Sequence, residues 1–379
     1  MVRHIPFNRP SLIGNEIKYI RDAVRLGQLA GDGTYTGKCQ DVICTLTAAR
    51  KSLITHSCTA ALEMAAVLCD LGSGDEVIMP SFTFVSTANA VVLRGATPVF
   101  VDIDPLTLNM DPAEVAKHVT PQTRAIFAVH YAGFPADMDA LAEISKAHDL
   151  MLVEDAAQAL GATYKGRLAG SLGDMATLSF HETKNIISGE GGALTLNRED
   201  LFERAEIIRE KGTNRSQFFR GQVDKYTWVD VGSSYLPGEL IAAYLFAQLE
   251  AHSTILTRRQ AIFDTYMEVF APFEELGKIT RTKTPPHCVG NGHMFYLQLP
   301  DLKARTRFIK EMGERDINTP FHYVPLHSAP AGLKFGRTTG PLPCTDHVAD
   351  TLVRLPMYFD LGPDIEAVIS AASDILQTL

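Results

Sequence analysis

The feature that most constrains the fold of this chain is an alternation of short apolar runs with stretches of helical pattern. Seven runs, apolar at nearly every position, read as strands at residues 53–55, 76–79, 98–101, 125–130, 151–154, 176–180 and 193–196. Helical patterns between them cover residues 59–71, 85–93, 112–118 and 138–148. Strands that are apolar throughout are buried on both faces, as in parallel sheets. The sequence therefore predicts an α/β fold, with a mostly parallel seven-stranded sheet between helices.

A second pattern begins after residue 196. We predict a helix at residues 200–211, a polar loop at 212–235 and a long helical stretch from Gly238 towards Phe273. Two strands at residues 293–299 and 321–324 and a last helix at 364–379 complete the chain. We therefore expect a large α/β domain over residues 1–250 and a smaller C-terminal α+β domain over residues 251–379.

Composition argues against several classes of protein. The 379 residues are 46% apolar. Their formal net charge is −9, whereas a surface that binds nucleic acid carries a positive charge. The six cysteines have irregular spacing and no C-x-x-C pair, so we expect reduced thiols and no metal site. The first residues, MVRHIPFNRP, lack the apolar segment of a secretory signal, and no apolar run reaches the roughly 18 residues of a membrane span. We expect a cytoplasmic protein with no membrane and no nucleic-acid partner.

Two polar segments follow consecutive predicted strands, at the edge where parallel sheets bind ligands. The run VEDAAQ at residues 153–158 ends one strand in two acids, and SFHETKN at 179–185 follows the next and precedes the turn GEGG at 189–192. Taken singly, Asp155 is more often a helix cap or surface acid, and Lys184 a solvated side chain. A pyridoxal-phosphate (PLP) enzyme, however, needs a lysine that forms an imine and an acid that keeps the pyridine nitrogen protonated. The pair therefore raises the hypothesis of a PLP site.

Two other segments are compatible with that hypothesis without requiring it. In HSCTAALE (56–63), small polar residues connect a predicted strand to a predicted helix. Free amides at a helix N-terminus can bind a phosphate. Simple capping by Ser57 or Thr59 explains the same residues. In the segment PSFTFVS (80–86), two aromatic side chains follow the end of a strand. They pack either in the core or on a flat ring.

Four histidines lie in predicted loops or at strand ends: His130, His181, His322 and His327. For each of them, a structural hydrogen bond is the more common role. They do not share the spacing of metal ligands on one element, so we predict no metal.

Taken together, the motifs resemble a known family. CTAAL (58–62), DEVIMP (75–80), EDAAQ (154–158), SFHxxK (179–184) and GEGG (189–192) occur in the order typical of the nucleotide-sugar aminotransferases, the DegT/StrS family of fold-type I PLP enzymes. The segment KGTNRSQFFRGQVDKYTWVDVGSSY (211–235), with HETKN and FHYVPLH, resembles a narrower group, the dTDP-4-amino-4,6-dideoxygalactose transaminases. That likeness implies transfer of an amino group from glutamate to dTDP-4-keto-6-deoxyglucose, for surface polysaccharides such as lipopolysaccharide.

The resemblance implies roles for residues that match the family motifs. Lys184 would be the imine-forming lysine, and Asp155 the acid that pairs with the pyridine nitrogen. Gln158 would face the ring hydroxyl, and Phe84 would stack on the ring. The phosphate would be held by backbone amides of Cys58 and Thr59 and by the hydroxyl of Ser179. The sugar pocket would include His181, Tyr323 and His327.

One motif departs from the common pattern. Many relatives carry G-x-N-x-R, whose Asn reaches the cofactor phosphate of the neighbouring subunit, whereas residues 232–236 here are GSSYL. Ser234 thus replaces the Asn and Leu236 the Arg. The resemblance implies a homodimer with a shared active site, in which Ser234 takes the place of that Asn.

Other functions stay open at this point. Another nucleotide keto-sugar, or a gluco product, would use the same machinery. A PLP sugar dehydratase of this family would carry His in place of Lys184. A non-catalytic, sugar-responsive regulator would be expected to lose Lys184 or Asp155, or to carry a DNA-binding extension.

Overall fold

The computed structural model describes residues 4–379. Its strands are β1 (Lys51–Thr55), β2 (Glu76–Pro80), β3 (Thr97–Val101), β4 (Thr123–Val129), β5 (Met151–Asp155), β6 (Thr163–Tyr164), β7 (Arg167–Leu168), β8 (Met175–Ser179), β9 (Gly192–Leu196), β10 (Thr280–Arg281), β11 (Cys288–Val289), β12 (Tyr296–Gln298) and β13 (Leu352–Arg354). Its helices are α1 (Glu16–Leu26), α2 (Thr34–Thr47), α3 (Cys58–Leu68), α4 (Val85–Val92), α5 (Pro112–His118), α6 (Met138–His148), α7 (Phe202–Arg209), α8 (Arg215–Phe219), α9 (Glu239–Glu250), α10 (His252–Val269), α11 (Ala271–Glu275), α12 (Leu302–Glu314), α13 (Pro330–Phe335), α14 (Pro343–Thr351) and α15 (Asp364–Gln377).

The central sheet confirms the predicted fold class. It has seven strands in the order β1-β9-β8-β5-β4-β2-β3, and each corresponds to one of the predicted strands, with ends shifted by one or two residues. Strand β9 runs antiparallel to its neighbours β1 and β8, and the other pairs are parallel. The sheet is therefore mostly parallel, and the ends of β5 and β8 lie side by side at one edge.

Helices bury both faces of this sheet, which explains why its strands are apolar throughout. Successive residues of one strand pack into different cores: Phe127 of β4 joins α3 and α4 on one face, while Ile126 joins α5 and α6 on the other. Both side chains are fully buried. Because full burial of such a side chain contributes about 1.5–3 kcal/mol, the two layers hold the strand ends in fixed positions.

The N-terminal helices α1 and α2 were not among the predicted elements. Helix α2 has Gly33 at its N-cap, which offers no side-chain acceptor. The carboxylate of Glu239, at the start of α9, instead accepts from the amides of Gly33 (3.1 Å), Tyr35 (2.7 Å) and Thr36 (3.0 Å). A residue more than 200 positions away thus satisfies the free amides of the first turn, a signal that local sequence does not contain.

The long helical stretch predicted from Gly238 towards Phe273 is three helices. Helix α9 ends at Glu250 and α10 begins at His252, because Ala251 between them leaves helical geometry at φ −92° and ψ 8°. Helix α11 follows from Ala271. The apolar pattern alone did not reveal these breaks.

The strand predicted at residues 321–324 is wrong, since this segment is irregular. Pro320 and Pro325 bracket it, and a proline cannot donate a hydrogen bond to a neighbouring strand. The strand predicted at residues 293–299 is confirmed but shorter, as β12.

The C-terminal part contains the antiparallel sheet β10-β12-β13, covered by α12, α14 and α15. One buried core joins it to the main sheet, since Leu297 of β12 and Ile126 of β4 belong to the same cluster. The division into domains at residues 250 and 251 stays a prediction. Among residues 4–379, none of the helices has both the length and the apolar character needed to span a bilayer.

Candidate active site

A cavity of about 670 Å³ opens at the edge of the sheet where β5 and β8 end. Nine of the predicted site residues line it: Cys58, Thr59, Phe84, Asp155, Gln158, Ser179, His181, Lys184 and Tyr323. They come from five separate segments of the chain. The fold therefore brings together residues that sequence motifs could only place one strand end at a time.

The two acids at the end of β5 point to opposite sides. Glu154 is fully buried and accepts from the amides of Gly170 (2.8 Å), Leu172 (2.7 Å) and Gly173 (2.9 Å). His130 also contacts it at 2.9 Å and accepts from the amide of Ala136. Glu154 and His130 therefore hold the loop after β7, while the alternation along the strand leaves Asp155 facing the cavity.

Asp155 is only 6% exposed and receives a buried hydrogen bond. The hydroxyl of Thr87, on α4, donates to Oδ2 at 2.7 Å, and Thr83 contacts that hydroxyl at 3.1 Å. The amide of Ala157 donates to Oδ1 at 3.3 Å. Hydrogen bonds of this kind stabilise a carboxylate in a buried position, where it can pair with a cation in the cavity.

Lys184 lies in the loop that joins β8 to β9, and its side chain enters the same cavity. Two backbone hydrogen bonds close the loop. The amide of Phe180 donates to the carbonyl of Gly191 at 2.8 Å, and the amide of Ser188 donates to the carbonyl of Phe180 at 2.7 Å. Burial lowers the pKa of Lys184 below its ordinary value, against the opposing effects of Cys58 and Asp155. A lowered pKa leaves more of the amine neutral, which is the form that attacks a carbonyl or accepts a proton.

The N-terminus of α3 forms the wall of the cavity beside Lys184. Ser57, and not Thr59, is the N-cap, and its hydroxyl accepts from the amide of Ala60 at 3.1 Å. The first amides of α3 have no partner within the helix, so they can bind an anion. The hydroxyl of Thr59 contacts that of Ser86 at 2.8 Å, which adds further donors on this side.

Gly192 permits this arrangement. A Cβ atom placed there would lie 2.4 Å from the amide nitrogen of Cys58 and 2.4 Å from the carbonyl carbon of Ser57. Strand β9 can thus approach the start of α3 only because this residue has no side chain.

Opposite α3, the segment after Pro320 supplies an aromatic wall. Gln158 accepts from the amide of Ala132 (2.7 Å) and donates to the hydroxyl of Tyr323 (3.0 Å). The ring of His322 stacks on Tyr323 at 3.5 Å and bonds to the hydroxyl of Tyr131 at 2.9 Å. Burial, and then the charges of Arg354 and Lys184, hold the pKa of His322 well below its ordinary value, which favours the neutral form of the ring.

Four of the predicted site residues differ in their position relative to the cavity: Phe84, His181, His327 and Ser234. Phe84 is 58% exposed at its rim, and His181 contacts Thr183 there at 2.9 Å. His327 does not line it, and its ring contacts the hydroxyl of Ser81 at 2.8 Å. Ser234 is exposed outside the cavity of its own chain, next to Glu210.

Sequence reasoning missed several residues of the site: Thr83, Ser86, Thr87, Arg259, His293 and Arg354. Arg354 carried a signal, since it is a charged residue inside the apolar run LVRLP. Thr87 gave no such signal in the sequence, because a threonine on a helix indicates no function until its contact with Asp155 is known.

The comparisons with known proteins agree with this geometry. Residues 10–373 match the DegT/DnrJ/EryC1/StrS aminotransferase family. The chain belongs to this family. The resemblance to the family that the motifs indicated is thereby confirmed, whereas the likeness to the narrower group stays a prediction. This family member is a PLP-dependent sugar aminotransferase.

Relatives of this DegT/DnrJ/EryC1/StrS protein match it end to end. It is 33% identical over 381 residues to GDP-perosamine synthase of Caulobacter vibrioides, covering 97% of both chains. It is also 33% identical over 389 residues to the spore coat polysaccharide biosynthesis protein SpsC of Bacillus subtilis, covering 98% of this chain and 97% of SpsC.

Among solved structures, DesV of S. venezuelae superposes with a TM-score of 0.90 at 31% identity, covering 99% of both chains. The PLP form of Spr1654 from Streptococcus pneumoniae gives 0.91 at 26% identity, again over 99% of both chains.

Proposed function

We propose that this aminotransferase transfers the amino group of glutamate to C4 of dTDP-4-keto-6-deoxyglucose, giving dTDP-4-amino-4,6-dideoxygalactose. The observation that carries the chemistry is one cavity lined by both Lys184 and Asp155, from neighbouring strand ends, beside the amides of α3. The choice of sugar rests on the segment at residues 211–235 and its likeness to that narrower group. A second candidate is another nucleotide keto-sugar, favoured by the identity to GDP-perosamine synthase.

The polar groups that line the cavity are of the chemical types that the phosphate, ring nitrogen and ring hydroxyl of PLP require. The start of α3, with the amides of Cys58 and Thr59 and the hydroxyl of Ser179, suits the phosphate. Asp155 suits the protonated ring nitrogen, and Gln158 the ring hydroxyl. Bound there, PLP supplies an electron sink that lets an amine pass between a donor and a ketone.

Lys184 and Phe84 have distinct tasks in this proposal. The amine of Lys184 would hold PLP through its aldehyde carbon. Once freed, its Nζ atom would remove the proton from the donor's α-carbon and pass it to that cofactor carbon. Its lowered pKa keeps the Nζ atom able to accept that proton. The exposed ring of Phe84 at the rim of the cavity would cover one face of the cofactor by stacking.

Two of the predicted sugar contacts, His181 and Tyr323, line the cavity and remain in the proposal. The third predicted sugar contact, His327, does not line the cavity of this chain. We assign it instead to holding Ser81, whose hydroxyl it contacts and whose carbonyl accepts from Leu326 at 3.0 Å. In this role it fixes the turn that leads to Phe84.

We propose a cytoplasmic homodimer in which Ser234 reaches the partner's cofactor phosphate. Helix α8 and the loop between it and Ser234 expose large apolar side chains, among them Phe219 (68% exposed) and Trp228 (78%). Scattered exposed residues are common, but a loop with several of them is typical of an interface. Gel filtration with light scattering tests the dimer, and Ser234→Ala should weaken cofactor binding without changing the assembly state.

The test of the chemistry is Lys184→Ala. We expect loss of turnover and of the visible to near-ultraviolet absorbance of lysine-bound cofactor, with an unchanged circular dichroism spectrum as the check on folding. Turnover that survives would refute the role of Lys184.

The test of the sugar uses the wild-type enzyme with dTDP-4-keto-6-deoxyglucose and nitrogen-labelled glutamate. Label at C4 of a galacto product supports the proposal. A gluco product, or turnover only with another nucleotide, points to the second candidate, and a deoxy-sugar without label indicates a dehydratase.

A further inference from the structure

His293 is a buried histidine of the cavity wall whose hydrogen bond fixes one tautomer of its ring. It is 9% exposed, lines the cavity and lies shortly before β12. Its Nδ1 atom is 3.1 Å from Oδ1 of Asn185. The amide group of Asn185 has a fixed orientation, because its Nδ2 atom donates to the carbonyl of Asn291 at 2.8 Å. Since an amide oxygen only accepts hydrogen bonds, Nδ1 of His293 carries the proton and donates it.

A neutral imidazole with its proton on Nδ1 has a free lone pair on Nε2. Burial, and then the charges of Lys184 and Arg259, hold the pKa of His293 well below its ordinary value, which favours the neutral form. Among residues 4–379, no group forms a hydrogen bond with Nε2. His293 therefore brings to the cavity an uncharged acceptor that has no partner in the described part of the chain.

The backbone on either side holds His293 in place. Arg259, on α10, donates from Nε to the carbonyl of Gly292 at 2.9 Å and from Nη2 to that of His293 at 2.6 Å. Gly292 has a φ of +61°, and a Cβ there would lie 2.9 Å from the carbonyl carbon of Arg259. From the other side, a Cβ on Gly133 would lie 3.0 Å from that of His293. The position of the acceptor is therefore set by packing, as in a preorganised site.

Lys184 is the donor group in the cavity that lacks a partner. It directly precedes Asn185, the residue that fixes the tautomer of His293. Within residues 4–379, its Nζ atom forms no hydrogen bond and no ion pair. Of the charged groups, Lys184 has the largest effect on the pKa of His293, which indicates that the two side chains lie near each other. The flexible side chain of a lysine, with its rotatable ammonium donors, lets Nζ turn towards a fixed acceptor.

We propose that Nε2 of His293 accepts a hydrogen bond from Nζ of Lys184 once the amino donor has displaced the lysine, an inference that rests on the proposed role of Lys184. His293 is then a positioning residue for the amine. One N–H bound to Nε2 fixes the direction of the Nζ lone pair that takes the proton from the donor's α-carbon. The same bond stabilises the ammonium that results, and it becomes stronger there because its donor is charged.

A neutral acceptor suits this task better than an anionic one. A carboxylate in contact with Nζ would keep the amine protonated and so unable to take a proton. The carboxylate of the cavity, Asp155, is engaged instead by Thr87 at 2.7 Å and by the amide of Ala157 at 3.3 Å. His293, whose pKa is held well below its ordinary value, stabilises the ammonium without removing its proton.

The experiment separates the two ring nitrogens of His293. An asparagine places an amide nitrogen near the position of Nδ1, whereas the longer glutamine places an amide oxygen near that of Nε2. We therefore expect His293→Asn to keep the bond to Asn185 and lose the acceptor, and His293→Gln to do the reverse. His118→Asn is the matched control. His118, on α5, is also buried, contacts the carbonyl of Glu114 through Nδ1 at 2.6 Å and does not line the cavity.

Proton transfer is measured in single turnovers of the holoenzyme with glutamate and with glutamate deuterated at the α-carbon. For His293→Asn we expect a rate constant about 10- to 100-fold lower, the effect of losing a hydrogen bond to a charged group. Its deuterium isotope effect should be larger than that of the wild type, because proton transfer then limits the rate. His293→Gln should recover most of the rate, and His118→Asn should match the wild type. The Kd of glutamate should stay the same in all three variants.

Two measurements on the cofactor-free protein distinguish this role from a structural one. In urea, the free energy of unfolding should stay near that of the wild type in His293→Asn and fall in His293→Gln, so that stability and rate change in opposite order. The pKa of Lys184 is read from the pH dependence of its reductive methylation, followed by mass spectrometry. It should fall by about 1 in His293→Asn, which corresponds to a tenfold weaker hold on the proton, and stay unchanged in His293→Gln.

The inference is overturned if the rate of each His293 variant follows its stability, or if His293→Asn leaves the isotope effect and the pKa of Lys184 unchanged. If His293→Asn does not fold, His293→Leu, which also lacks an acceptor, replaces it with the same expected rate, isotope effect and pKa. The proposed function fails through other results. These are a wild-type holoenzyme that does not react with glutamate, turnover that survives Lys184→Ala, or no amination of any nucleotide keto-sugar, and none of them involves a substitution of His293.

Discussion

Gly192→Ala should disturb the cofactor site solely through a steric clash of the added side chain. The residue has no positive φ, so alanine can adopt its backbone conformation. The obstacle is the added Cβ, which would lie 2.4 Å from the amide nitrogen of Cys58, 2.4 Å from the carbonyl carbon of Ser57 and 2.5 Å from its oxygen. All three neighbours are backbone atoms of the phosphate-binding turn that we propose.

The size of the effect follows from how little the neighbours can move. Gly192 is paired with Thr55 of β1 and Ser179 of β8, so β9 is held on both sides. The strain is therefore passed to the start of α3, at a cost of about 1–3 kcal/mol in the free energy of unfolding. If the shift removes one amide hydrogen bond to the phosphate dianion, cofactor affinity falls about 10- to 100-fold.

Two measurements test this reasoning: urea unfolding of the cofactor-free protein, and titration of that protein with PLP followed by absorbance. The control is Gly313→Ala on α12, where a Cβ meets no atom within 4 Å. That change should stabilise the protein by up to about 1 kcal/mol through helix propensity and leave PLP affinity unchanged. The reasoning is refuted if Gly192→Ala binds PLP and unfolds like the wild type.

Three other changes have defined outcomes. Thr87→Val removes the hydroxyl that donates to Asp155 and helps to hold its carboxylate in place, so kcat should fall roughly tenfold, as steady-state kinetics at saturating substrates will show. Lys184→Met should raise the melting temperature of the cofactor-free protein at pH 7. Because the folded-state pKa of Lys184 is lowered, the unfolded chain binds the proton more tightly, and the gain should shrink as pH rises towards 10, as thermal melts at both pH values will show. Glu154→Ala leaves three amides without this acceptor, two of them fully buried, and should lower the free energy of unfolding by about 3 kcal/mol, measured in urea, whereas Glu154→Gln should lose less.

The sequence predicted the sheet well because each strand is apolar for a physical reason that does not depend on its partners. Strands buried on both faces must be apolar at nearly every position, and the seven runs were found within one or two residues. Predictions failed where a distant group decided the outcome. Helix α2 depends on Glu239, and the segment at residues 321–324 depends on flanking prolines and on packing against Phe82 and Tyr131.

The same division holds for the site. The sequence by itself determined the family, the α/β layering and the presence of a lysine and an acid at neighbouring strand ends, because these follow from local pattern and motif order. Only the tertiary structure decided that Asp155 and not Glu154 faces the cavity, that His327 does not line it, and that Arg354 enters it with an Nε atom that has no partner among residues 4–379. Those facts depend on side-chain direction and on contacts between distant segments, which exist only once the layers have packed.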